Sequence, residues 1–130
     1  MIHCAGIIVF HQDNTVIVST ARGNHGFPKG KRHSSESLLE TAWRELTEET
    51  GLTHDQVTII PNVFVDEQKP DKKNVSVRYF VGMLQQDVKP SLIFDSKELA
   101  TVQWLPIDVA SQMLTVVRRQ ILHEAFRFIQ

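Results

Sequence analysis

Residues 44–52 read Arg-Glu-Leu-Thr-Glu-Glu-Thr-Gly-Leu, a spacing that puts three carboxylates on one side of a helix. At ~100° per residue, Glu45, Glu48 and Glu49 fall within an arc of about 100°, while Leu39, Ala42, Trp43 and Leu46 fill the neighbouring arc. One face packs and the other concentrates charge. Like charges at i, i+3 and i+4 oppose one another by roughly 0.2–0.5 kcal/mol per pair, so an ordinary solvated helix gains by dispersing them. A hard, oxygen-seeking cation such as Mg²⁺ removes that conflict. The competing reading is a plain acidic surface helix, and the residues before this segment weigh against it.

Upstream, Gly30 is followed after five residues by Glu36 and after seven more by Arg44-Glu45-Leu46, then Glu48-Glu49, Gly51 and Leu52. This string resembles the Nudix box of the Nudix hydrolase family, with every fixed position filled. The resemblance implies an α/β fold, a Nudix-type α-β-α sandwich with a mixed sheet in which the box forms a loop, a helix and a loop. It also implies an enzyme: a Mg²⁺-dependent pyrophosphohydrolase, with Mn²⁺ as a substitute, cutting a phosphoanhydride in a nucleoside diphosphate linked to another group. Glu45, Glu48 and Glu49 carry over as metal ligands, and the Gly30 carbonyl as a further oxygen. Arg44 carries over as the residue that orients a carboxylate, against the simpler reading of a surface i, i+4 ion pair. Glu36 is a supporting residue, for the loop or a further metal, against that of an acid favoured at a helix N-terminus. A silent binding module is the non-enzymatic alternative, but such a module is expected to have lost box carboxylates.

Outside the box, Pro28 stiffens and Gly30 lets backbone approach a ligand closely in Phe27-Pro28-Lys29-Gly30-Lys31, so Lys29 is placed to meet a phosphate. Lys31 and Arg22 are further substrate-binding candidates. The Pro-Lys-Gly segment resembles the dinucleoside polyphosphate hydrolase and mRNA-decapping branches. Glu98 stands in Glu-x5-Trp with Trp104, a spacing similar to the loop that supplies a general base in several branches, and Asp66 and Glu67 compete for that role. Tyr79, Phe80 and Phe64 read as core before base-stacking platform. The six histidines show no ligand spacing.

Substrates rank accordingly. Dinucleoside polyphosphates come first, capped or 5′-phosphorylated RNA second, and diphosphoinositol polyphosphates third, the last suggested by Lys69, Lys72, Lys73 and Arg78. A net charge of −1 argues against long RNA, for which Arg118, Arg119 and Arg127 are the candidate backbone contacts.

At 130 residues the chain reads as a single domain, residues 1–130. One cysteine, Cys4, makes no internal disulfide and suits a reducing compartment; with no ~18-residue apolar stretch, the expectation is a cytoplasmic protein without a membrane partner. Oligomeric state stays open. Residues 5–10 and 15–19 predict a hairpin, 20–31 a loop, and 56–65, 75–84 and 101–105 strands. A helix capped by Ser34 or Ser35 is expected to run to Thr50 with Gly51 as its C-terminal stop, another to start near Pro106, and an amphipathic helix to span 113–129.

Overall fold

The apolar run after Cys4 becomes the middle of the molecule because both of its faces are covered. In the computed structural model, which describes residues 2–68, 76–87 and 89–130, β1 (Cys4–His11) is buried from Ala5 through Phe10. Alternation sends its side chains to opposite layers. Ala5, Ile7 and Val9 pack with Ala42, Leu46 and Leu52 at the first helix, and Ile8 and Phe10 pack with Leu114, Ile121, Leu122 and Ala125 near the C-terminus. A continuous apolar strand of this kind belongs between two layers of helix, as the α-β-α expectation requires.

Along the chain follow β2 (Asn14–Ser19), β3 (His25–Gly26), β4 (Lys29–Lys31), α1 (Leu38–Thr50), β5 (Val57–Gln68), β6 (Ser76–Leu84), β7 (Thr101–Pro106), α2 (Ile107–Met113) and α3 (Val116–Arg127). The sheet runs β3-β2-β1-β6-β5, with β4 also on β1 and β7 also on β2. It is mixed: β1 and β6 are parallel from Cys4↔Val77 to Phe10↔Met83, and the other pairs are antiparallel. The lysine-rich turn at 69–73 lies outside the described residues.

The expected β1–β2 hairpin forms only at its tip, Phe10↔Thr15 and His11↔Asn14; β2 then leaves to pair with β7 from Asn14↔Pro106 to Ser19↔Thr101. Into the opening comes the segment expected to be a loop. It is instead partly strand: β3 pairs with β2, and β4 pairs with β1 at Gly6↔Lys29 and Ala5↔Gly30. Backbone pairing to a buried strand satisfies groups that a free loop would leave to water. Lys29 and Gly30 thereby stand in the sheet, beside α1.

The cap of α1 is Ser37 and not Ser34 or Ser35. Ser37 Oγ accepts from Glu40 N at 3.0 Å, and the Glu40 carboxylate accepts from Ser37 N at 2.8 Å. Only Ser37 has a glutamate three residues on, so only it completes the reciprocal box. Gly51 ends the helix at φ 79°, with its N–H donating to Thr47 O. The two C-terminal helices form as expected, the first after Pro106 and the second from Val116 to Arg127. Leu114, buried, takes an extended conformation after α2, and Thr115 caps α3 by accepting from Arg118 N, so two helices turn their apolar sides onto one core.

Candidate active site

Glu45, at the middle of α1, is buried against β4. A Cβ built on Gly30 would lie 2.0 Å from its Oε2 and 2.2 Å from its Oε1, so glycine is what lets backbone and carboxylate meet. Oε2 is buried and accepts no hydrogen bond from the described residues. Burial above all, with the charge of Glu48 adding and Arg44 opposing, pushes the carboxyl up to about 7. One turn on, Glu49 accepts from Lys29 N at 2.9 Å, and its burial likewise raises it to about 7 despite that bond. Two partly desolvated carboxylates side by side, one with an unmatched oxygen, make a hard-oxygen donor set that fits a divalent cation.

Arg44 holds the approach to that pair. Its Nε donates to Glu36 Oε2 at 2.6 Å and Nη2 to Glu36 Oε1 at 3.0 Å, a bidentate pair. Nη2 also donates to Lys31 O at 2.9 Å, Nη1 to Glu48 Oε1 at 3.3 Å, and Nη1 stands 3.6 Å from Glu45 Oε1. The guanidinium therefore joins the loop of the box to its helix, which is more than a surface ion pair. Glu36 is turned to Arg44 and accepts from His33 N and Thr41 Oγ1 as well; the Arg44 bonds first, then His33, hold its carboxyl down at about 2. That is the loop-supporting alternative, with the helix-charge reading set aside.

Glu48 is the most open of the three ligand candidates, its side chain 56% exposed beside Arg44. Among the described residues no three His, Cys, Asp or Glu side chains are drawn into a ready-made coordination shell. Glu98 is exposed, in the turn before β7, yet near enough that its charge raises both Glu45 and Glu49. Its rivals are both engaged by neighbouring side chains. Asp66 forms a two-bond pair with Arg78 at 2.9 and 3.0 Å, and Glu67 accepts from the buried Tyr79 hydroxyl at 3.0 Å. Tyr79 is core as expected; Phe64 is not, being 44% exposed with the Arg78 guanidinium 3.7 Å from its ring centre.

A cleft of about 470 Å³ opens beside the carboxylates, and Lys29, Glu49, Glu67 and Arg118 line it together with Val18, Thr20, Asn24, Leu99 and Val117. Lys31 and Arg22 are exposed and do not line it. Two candidate RNA contacts prove to be turned inward: Arg118 Nη1 donates to His25 O at 2.7 Å, and Arg119 Nε to Ser111 O at 2.8 Å. The sequence offered no local sign of Arg118 in this cleft, because its partners are 51 and 93 residues away.

Comparison with known proteins identifies the family. The NUDIX domain family model matches residues 3–125. The chain is a Nudix hydrolase. As such it is an enzyme acting on phosphoric anhydrides, in a family that generally uses divalent metal ions. The hydrolase is 30% identical to the pig (Sus scrofa) bis(5′-nucleosyl)-tetraphosphatase [asymmetrical], over 98% of this chain and 95% of that one. Its fold superposes on an Ap4A hydrolase binary complex from C. elegans with a TM-score of 0.86 at 19% identity, covering 97% of this chain and 96% of that one. It also superposes on the E. coli dihydroneopterin triphosphate pyrophosphohydrolase with a TM-score of 0.71 at 16% identity, covering 95% and 92%. At these identities the two likenesses show the fold and do not choose a substrate.

Proposed function

We propose that this Nudix hydrolase cleaves dinucleoside polyphosphates with Mg²⁺. The supporting observation is the continuity of the cleft with the box: Lys29 and Glu49 line one part, and the space extends to α3 at Thr115 and Arg118, giving room for a nucleoside beyond the reacting phosphates. The name of the pig relative, which aligns over nearly the whole chain, points the same way. Glu45, Glu48, Glu49 and the Gly30 carbonyl are the oxygens that would hold the metal, the unmatched Glu45 Oε2 foremost. When bound, a divalent cation neutralises phosphate charge and lowers the pKa of water.

The chain's own residues supply the rest. Lys29 fixes Glu49 through its backbone N–H, and its ammonium is the candidate partner of a phosphate oxygen. Arg44 holds Glu36, Glu48 and the Lys31 carbonyl, so the strand carrying Lys29 is tied to the helix carrying the carboxylates. Glu98, outside the cleft lining but within electrostatic reach of Glu45 and Glu49, is assigned as the base that takes a proton as water oxygen attacks phosphorus and the anhydride P–O bond breaks.

The test is a panel of diadenosine and diguanosine tetraphosphates, capped RNA and inositol pyrophosphates incubated with Mg²⁺. The expected outcome is water-dependent cleavage of the dinucleoside tetraphosphates to a nucleoside triphosphate and a monophosphate, faster than of any other member. Faster release from capped RNA, increasing with RNA length and collapsing with salt, would move the substrate to RNA.

A further inference from the structure

Arg118 belongs to a helix, yet its side chain ends between strands. Nη1 donates to His25 O in β3, and Nε donates to Glu67 Oε2 in β5 at 3.4 Å. A Cβ on Gly26 would lie 2.8 Å from Nη1, so the glycine leaves the room that the guanidinium fills. The side chain is 15% exposed, and Arg118 lines the cleft that Lys29 and Glu49 also line. Nε and one N–H of Nη1 are committed, while Nη2 makes no hydrogen bond among the described residues.

The chemistry of these donors narrows what they meet. A guanidinium has no acceptor, so its partner must present lone pairs. Glu67, 7% exposed, lies against it and offsets its charge, which weakens the case for a phosphate. A neutral group rich in acceptors fits better. Val18, Leu99 and Val117 supply apolar wall for a planar ring in the same cleft. A purine with a 6-keto group offers two adjacent acceptors, O6 and N7, matched to a fork of N–H donors. Adenine puts an amino group in place of O6 and sets donor against donor.

We propose that Arg118 is a specificity-determining residue that selects a 6-keto purine, guanine or hypoxanthine, over adenine in the nucleoside held by the cleft; this rests on the dinucleoside polyphosphate reading and names its base. A bidentate pair of this kind discriminates by roughly ten- to a hundredfold.

Calorimetric binding of GMP, IMP and AMP to the intact enzyme, alongside kcat/KM for diguanosine and diadenosine tetraphosphate, tests it. GMP and IMP are expected to bind roughly ten- to a hundredfold tighter than AMP, with the same order in kcat/KM carried mostly by KM. Arg118→Gln should erase the preference, read as the ratio of GMP to AMP affinity. Arg118→Lys, which keeps the charge against Glu67 but loses the fork, should erase it too and stands in if the first variant does not fold. Equal binding of GMP and AMP by the parent, tighter binding of AMP, or a preference that survives in a folded variant overturns the assignment. Equal turnover of both dinucleotides also overturns it and leaves the substrate reading intact. A guanine preference in binding without turnover of either dinucleotide sustains Arg118 and overturns that reading instead.

Discussion

Gly30 and Glu45 meet at a distance no side chain can enter: a Cβ on the glycine would fall 2.0 Å from one carboxylate oxygen and 2.1 Å from the carboxyl carbon. The first residue of the box and the first of its three helical ligand candidates are thus one structural unit. Their contact sets the depth at which Glu45 sits and leaves its Oε2 without a donor among the described residues.

Gly30→Ala is therefore expected to push β4 off α1. Overpacking of this kind costs about 1–3 kcal/mol, and displacement of Glu45 should lower kcat/KM by on the order of 10²-fold. Thermal unfolding and steady-state kinetics measure the two effects, and an alanine variant with parental values of both contradicts the contact.

Metal-free stability should depend on pH in a particular sense. The carboxyls of Glu45 and Glu49 are raised from 4.5 to about 7 in the folded chain, so folding favours their protonated forms. That stability is fully present below about pH 4.5 and is lost as pH rises through about 7. Tm of the metal-free enzyme is expected to fall across this window by several degrees, each ~1 kcal/mol moving a domain of this size by roughly 3–6 °C. Saturating Mg²⁺ should recover the loss at pH 8, and Glu45→Gln should flatten the slope. Glu36, lowered to about 2, acts oppositely and only at lower pH: its contribution holds above about 4.5 and is lost as pH falls through about 2. A Tm that rises between pH 5 and 8 without metal is the contrary result.

Arg44→Lys keeps the charge but cannot reproduce the fork on Glu36 or the simultaneous bonds to Lys31 O and Glu48. Activity is expected to drop by on the order of 10²-fold through misplacement of the box loop, with a lower Tm. Lysine supporting full activity reduces Arg44 to a surface ion pair.

Glu98→Gln tests the base. A positioned general base contributes typically 10²–10⁴-fold, so kcat should fall by about that factor with little change in Tm, since the side chain is exposed. An unchanged rate returns the role to a box glutamate, because Asp66 is held by Arg78 and Glu67 by Tyr79 and Arg118.

What the residues alone determined is whatever rests on local spacing. The acidic face of α1, its stop at Gly51 and the i, i+4 relation of Arg44 to Glu48 follow from helical periodicity and the left-handed tolerance of glycine. The buried run of β1 followed from a continuous apolar string, and the order of elements from the alternation of periods. Tertiary structure decided what depends on separation in sequence. Nothing near residue 20 says that β1 and β2 part to admit β4, since that split is set by the longer pairing of β2 with β7. Nothing near residue 118 says that an arginine on an amphipathic helix turns inward to His25 and Glu67. Local propensity places charge on a helix face, but only the packing of distant segments removes it from water, and removal from water is what raises Glu45 and Glu49 and brings Arg118 into the cleft.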